Sequence, residues 1–232
     1  YAYVSQLLQA RGMKIAIEAH RRAKSYCMGT LYWQFNDCWP VTSWSSLDYY
    51  GNWKAFHYQA KRSFENLLLS VNEENEIYKV FLVNDNFESY SVRLELELLS
   101  FDGKSLWENS KEVTVKENTS INVYEIPKDE FEKFDLKSSV LKVNWEEVKI
   151  NYFFAKPKDL KLQKPNIEIK IINDFMIEIS SDVLAKDVFL SSENEVFFED
   201  NYFDLLPNDK RIIKLSKAAK EIKVKSLFDT IK

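Results

Sequence analysis

Residues 29–58 read GTLYWQFNDCWPVTSWSSLDYYGNWKAFHY, and four of the six tryptophans, Trp33, Trp39, Trp44 and Trp53, fall inside them. The same stretch holds Asn36, Asp37 and His57, one of two histidines in the chain. The aliphatic and aromatic run over 27–35 reads as a strand covered on both faces, as parallel strands are. It ends in Asn-Asp and then Trp-Pro, so it would deliver polar groups to a cleft. Flat indole faces beside amides and carboxylates are the chemistry of sugar binding: the apolar face of a sugar stacks on the ring while its hydroxyls bond to the polar groups.

Upstream, residues 3–24 read as a helix with Val4, Leu7, Leu8, Ile15, Ile17 and Ala19 as its apolar stripe, and Gly12 as a place where it could divide. Arg21, Arg22 and Lys24 suit its C-terminal dipole, as does His20. Residues 36–50 read as loop. Residues 52–66 read as a second helix built on Trp53, Phe56, Ala60 and Phe64, with Asp48 as candidate N-cap and His57 as a packed histidine. Helix, buried strand, loop, helix is the repeat of a (β/α)8 barrel, whose active site lies in the loops after the strands. By order these would be helix 7, strand 8 and helix 8. A whole barrel needs about 250 residues, so the other strands would have to come from elsewhere.

From residue 67 the pattern becomes short alternating strands at 67–71, 77–84, 91–100, 106–115, 119–126 and 140–154. In the third, Val92, Leu94, Leu96 and Leu98 point one way and Arg93, Glu95 and Glu97 the other. Asp102-Gly103 signals a hairpin turn, and 130–136 reads as a polar connector. Pro157 and Pro165 bracket a linker. Strands follow at 167–172, 175–180, 185–191, 203–206, 211–215 and 221–226, with turns at Asn173-Asp174 and Pro207-Asn208-Asp209. The expectation is a multi-domain chain, α/β then all-β. Residues 1–66 would be the last helix-strand-helix unit of a TIM barrel, 67–157 an immunoglobulin-like β-sandwich, and 158–232 a second, smaller one.

Composition narrows the function. The 232 residues are 45% hydrophobic, with a net charge of −4. Residues 1–64 carry about +5 and the remainder about −9, an acidic balance that argues against nucleic acid. No apolar run approaches the roughly twenty residues of a membrane span. Cys27 and Cys38, at opposite ends of an extended stretch, read as free thiols. No phosphate loop, Cys-x-x-Cys or His-Glu-x-x-His spacing is present, so neither cofactor nor metal is expected. The Asn118-Thr119-Ser120 sequon decides nothing, and the start at Tyr1 in mid-pattern suggests part of a longer polypeptide.

The block LYWQFNDCWPVTSWSSLDYYGNWKAFHY at 31–58 resembles the end of the catalytic barrel in β-mannosidases of glycoside hydrolase family 2. QLLQARGMKIAIEAHRR at 6–22, FFAKPKDLKL at 153–162 and YFDLLPNDKR at 202–211 resemble further segments of those enzymes. The resemblance implies a retaining, exo-acting enzyme that removes terminal non-reducing β-D-mannose. Trp33, at the tip of the eighth strand, would face the sugar, and Asn36 and Asp37 are further substrate-binding candidates. The bland alternatives are a buried barrel tryptophan for Trp33 and a turn pair for Asn36 and Asp37. Trp39 and Trp44 would line outer subsites or wedge the barrel against the next domain.

A retaining glycosidase needs two carboxyl groups about 5–5.5 Å apart. Residues 1–64 offer only Glu18, Asp37 and Asp48, and none matches the family's catalytic glutamates, which belong to strands 4 and 7, upstream of Tyr1. This piece would therefore hold no catalytic residue and be inactive alone. The partners implied are a β-mannoside or manno-oligosaccharide and the upstream barrel and N-terminal domains of the same polypeptide. No nucleic acid or membrane span is expected, while a homodimer is open. For the family, the compartment would be extracytoplasmic or lysosomal. The competing reading is a carbohydrate-binding or structural β-sandwich module of a related β-galactosidase or β-glucuronidase, with Trp107, Trp145 or Tyr152 as exposed platforms.

Overall fold

The computed structural model describes residues 1–146 and 148–231. Two helices, α1 (Ala2–Arg22) and α2 (Ala55–Ser63), precede thirteen strands among the described residues. Helix α1 runs unbroken through Gly12, whose absent side chain faces open space.

The strand expected at 27–35 does not form. That segment carries no strand, and Leu31, Trp33 and Phe35 on it are exposed. Local pairing is limited to a parallel bridge between Asn36 and Leu47 and an antiparallel one between Leu47 and Trp53. The physical reason is that a parallel strand needs neighbours to complete its ladder, and every sheet among the described residues is built from residue 67 onward. The helix-strand-helix unit is therefore present here only as its two helices and an extended, loosely bridged connection.

The first sandwich alternates as its sequence does. Strands β1 (Leu67–Glu74), β2 (Ile77–Asn84) and β5 (Thr119–Pro127) form one antiparallel sheet, in the order β1-β2-β5. Strands β3 (Tyr90–Ser100), β4 (Ser105–Val115), β6 (Ser139–Trp145) and β7 (Val148–Tyr152) form the other, in the order β4-β3-β6-β7. Val92, Leu94, Leu96 and Leu98 of β3 are buried against Leu69, Val80, Leu82 and Trp145. The stretch read as strand over 140–154 is the hairpin of β6 and β7, with Glu146 in a left-handed conformation at the bend. Asn75 and Glu76, both left-handed, form the two-residue β1–β2 turn, whose twist matches that of the strands.

The second sandwich pairs β8 (Ile167–Asn173), β9 (Met176–Ser181) and β12 (Lys210–Lys214) in the order β12-β9-β8. Facing it are β10 (Ala185–Ser191), β11 (Phe203–Leu205) and β13 (Lys223–Lys225), in the order β11-β10-β13. Ile177, Ile179, Val188, Leu190 and Ile213 fill the space between.

Each sandwich is fastened to the helices, and the two to one another. Leu99 and Val140 lie on the face of their sheet opposite Leu98, and with Phe101 they pack against Leu160, Leu184 and Leu206. At the end of α1, Arg21 bonds the Ser63 carbonyl at 2.6 Å and Asp85 at 2.9 Å, while Lys24 reaches the other Asp85 oxygen at 2.6 Å. Glu18, buried, accepts from Ser70 at 2.8 Å and pairs with Lys14 at 2.6 Å. On the opposite flank, Tyr3, Tyr58 and Tyr202 form an aromatic cluster with Phe56 and Phe189, which joins both helices to the second sandwich. Burial of the Tyr3, Tyr58 and Tyr202 hydroxyls pushes all three well above the ordinary phenol range.

Candidate functional site

The loop of residues 29–54 is built on a buried carboxylate. Asp37 is only 3% exposed, and its oxygens accept hydrogen bonds from Ser43, from Ser45 at 2.8 Å and from the Lys54 ammonium at 3.0 Å. Lys54 also donates to the Ser45 hydroxyl at 2.7 Å. The Ser43 hydrogen bond, with those from Ser45 and Lys54, holds the Asp37 carboxyl below its ordinary range against the opposing effect of desolvation.

From this centre the backbone is laced outward. The Ser46 amide bonds the Gln34 carbonyl at 3.1 Å, the Leu47 amide the Phe35 carbonyl at 2.9 Å, and the Asp37 amide the Leu47 carbonyl at 3.2 Å. The Ser46 hydroxyl donates to the Phe35 carbonyl at 2.8 Å and lies 2.9 Å from His57 Nδ1. His57 sits edge-on to Trp53 at 4.3 Å and to Phe35 at 5.5 Å, and its burial lowers its pKa from the usual histidine range. Tyr32 stands edge-on to Phe56 at 4.7 Å, fixing the other side of Trp33.

Trp33 itself projects outward, 78% exposed, between these anchored neighbours. Asn36 is also exposed, and its amide donates to the Asp37 carbonyl at 3.3 Å. Asp37 is thus turned inward, while Trp33 and Asn36 face out from the same support. Trp39 and Trp44 are exposed too, and Gln9 of α1 tethers the Trp44 carbonyl at 2.6 Å. Two surface hollows, of about 220 Å³ beside Asp200 and Arg211 and about 430 Å³ beside Arg93 and Asn144, lie away from this loop.

Asp48 does not cap α2. Its carboxylate instead binds the amides of Tyr50 and Asn52 at 2.9 and 2.8 Å, closing the turn at Gly51, and the N-cap position is Lys54. The first amide of α2 is satisfied by Gln6 of α1 at 3.1 Å. Sequence reasoning did not single out Ser43, Ser45 or Lys54. Their only signal is the i, i+2 spacing of two serines opposite an Asp, which is common in loops. Cys27 and Cys38 are both free. Trp145 lies in the first core, 1% exposed, so it is no sugar platform; Trp107 is packed on Phe131, its indole N–H donating to Glu130 at 2.9 Å, and Tyr152 packs against Tyr78 and Phe154. Among the described residues no group of three or more His, Cys, Asp or Glu is placed to hold a metal, and no helix is long and apolar enough to cross a membrane.

Residues 76–159 match the mannosidase Ig/CBM-like domain and residues 162–230 the Ig-fold domain of mannosidases. The chain is 28% identical to β-mannosidase B of Thermothelomyces thermophilus over 98% of its own length and 31% of that protein's. It is 31% identical to the β-mannosidase of Capra hircus, over 81% of this chain and 24% of the relative. The crystal structure of β-D-mannosidase from Dictyoglomus thermophilum superposes with a TM-score of 0.84 at 30% identity, covering 97% of this chain and 29% of that one. The chain thus spans between 24 and 31% of the length of these three relatives. Paired immunoglobulin-like sandwiches of the mannosidase type, carried behind two helices, define its class. It belongs to the glycoside hydrolase family 2 β-mannosidases, as a C-terminal part.

Proposed function

We propose that this chain is the C-terminal portion of a retaining, exo-acting β-mannosidase that cleaves terminal non-reducing β-D-mannose. In this reading α1, the 27–35 segment and α2 are the last helix-strand-helix unit of a (β/α)8 barrel completed by the rest of the polypeptide. The sandwiches that follow brace it. Trp33 forms one wall of the sugar pocket, Asn36 offers its amide to a hydroxyl, and Asp37 serves the pocket by holding the loop from beneath. Both catalytic glutamates belong to the rest of the polypeptide, so this portion alone is inactive.

The single observation that carries the reading is the placing of Trp33 directly before Gln34 and Phe35, whose carbonyls are pinned, and on the same support as the outward-facing Asn36. An indole held beside an amide on an ordered loop suits a sugar, whose apolar face stacks on the ring while its hydroxyls bond to the polar group. The same sequence block resembles the sugar-facing end of mannosidase barrels, and the relatives named above support the substrate class. The test is the intact polypeptide on an aryl β-mannoside, with the anomer of the released mannose followed by proton NMR. Release of β-mannose first would agree with retention, and α-mannose first would sink it. Trp33→Ala should lower kcat/KM by about 100-fold, the order of two to three kcal/mol for a lost aromatic contact. An undiminished value would remove Trp33 from the pocket.

A further inference from the structure

We propose that the buried Lys54–Asp37 ion pair, with Ser43 and Ser45, is the positioning device for Trp33, so that Lys54 governs sugar affinity without touching the sugar. The inference rests on the reading of Trp33 as a pocket wall.

Lys54 acts on the loop twice. Its backbone amide bonds the Ser46 carbonyl at 3.0 Å, and its ammonium bonds both Asp37 at 3.0 Å and Ser45 at 2.7 Å. Ser45 is fully buried, and its hydroxyl donates to Asp37 and lies 2.7 Å from the Leu47 carbonyl. Residues 45–47 are thereby fixed, and they in turn hold the carbonyls of Gln34 and Phe35, the two residues that follow Trp33. The direction of the indole is set by a short chain of bonds that starts at Lys54. A direct sugar contact by Asp37 would require displacement of three donors already in place.

The Lys54 and Asp37 side chains are 13% and 1% exposed. A buried pair of this kind adds little net stability over well-packed apolar groups of the same size, because both charges lose their water. What it does secure is one geometry, since bond lengths and directions are all satisfied together only there. Residues that hold a reactive surface in place change rates steeply for small displacements, and a shift of about 1 Å can lower the rate of a positioned reaction by about 100-fold.

The experiment uses the intact polypeptide and compares Lys54→Met, Lys54→Arg, Trp33→Ala and the Lys54→Met/Trp33→Ala double variant, reading kcat and KM on an aryl β-mannoside and the melting temperature of each. Lys54→Met is expected to lower kcat/KM by about 10- to 100-fold, with KM rising at least as much as kcat falls. Lys54→Arg, which keeps the charge, should recover most of that loss. In the Trp33→Ala background, Lys54→Met should change kcat/KM by less than about 3-fold, since sites acting through one another are not additive. A folded Lys54→Met enzyme within about twofold of the parent, or a full additive loss in the Trp33→Ala background, would overturn the inference. A harmless Trp33→Ala would overturn the pocket reading beneath it instead. Should Lys54→Met fail to fold, Ser45→Ala removes a donor without stranding a charge, and the same non-additivity with Trp33→Ala is then required of it.

Discussion

The Arg62 guanidinium at the end of α2 lies 2.6 Å from the Asp200 carboxylate, 138 residues further along the chain. The same guanidinium donates to the carbonyls of Asn201 at 3.2 Å and Tyr202 at 3.0 Å, while Arg211 holds the other Asp200 oxygen. One arginine thus ties the helical pair to the second sandwich through three acceptors. Burial of Arg211 lowers its pKa from the usual guanidinium range.

Arg62→Ala is therefore expected to destabilise the helix–sandwich joint by about 2 kcal/mol, because the stranded carbonyls lose a charged donor in a partly dry interface. Arg62→Lys should recover less than half of it, since an ammonium cannot span the fork. Urea unfolding followed at both sandwiches would read the effect. A loss below about 0.5 kcal/mol, the range of an ordinary surface change, would show the joint is held by its aromatic cluster alone.

Gly103 joins the sandwiches as well as turning a hairpin. Its φ of +89° is left-handed, and a Cβ built there would sit 2.8 Å from Cβ of Pro207, in the turn of the second sandwich. Gly103→Ala should lower stability by about 2–3 kcal/mol, combining left-handed strain with a steric shift at the joint. Gly51, also left-handed at φ +82° but with open space around it, should show only the strain when changed to Ala, about 1 kcal/mol. Thermal melts of the two variants would test the difference; equal losses would argue against the close approach at Pro207.

The strands were legible because alternation is a local property. Strand β2 runs over Ile77–Asn84 and β10 over Ala185–Ser191, where their patterns place them. The break at Glu146 was not legible, because a left-handed glutamate carries none of the Gly, Asn or Pro signals of a turn. The 27–35 segment has the composition of a buried strand, but strand formation depends on ladders that this chain's other strands do not offer. In the loop, the clustering of Trp33, Asn36 and Asp37 was visible in the sequence. That Asp37 points inward was not, since Ser43, Ser45 and Lys54 become its partners only through the fold of the loop.

The two depressed pKa values of the loop carry a sign. His57 is held below its ordinary range by burial and Asp37 below its own chiefly by the Ser43 hydrogen bond. Both groups contribute stability that is fully present above their unfolded pKa values, and that is lost as pH falls through the folded ones. Acidification should thus loosen the loop in two stages, the His57 stage beginning below about pH 6.5 and the Asp37 stage below about pH 4. Hydrogen exchange of the Ser46 and Leu47 amides as a function of pH would follow it. His57→Gln should remove the first stage and leave the second; a single stage surviving in that variant at the higher pH would show that His57 is not its source.

Helix α1 presents a second apolar stripe, Val4, Leu8 and Ile15, to solvent, although its other face is already occupied by α2 and the sandwiches. Leu8 is 73% exposed, and with Gly12 it lies on the same side of the helix at i+4 spacing. If that stripe meets the rest of a barrel, the effect of changing it must depend on how much polypeptide is present. Leu8→Asp should leave the melting of residues 1–232 within the range of a surface change, about 0.5 kcal/mol. In the intact polypeptide the same substitution should destabilise by several kcal/mol, since it buries an unpaired carboxylate where a leucine packed. Parallel melts of the two forms decide it. A neutral Leu8→Asp in the full-length protein would mean that the stripe faces water there too, and that α1 is not a barrel helix.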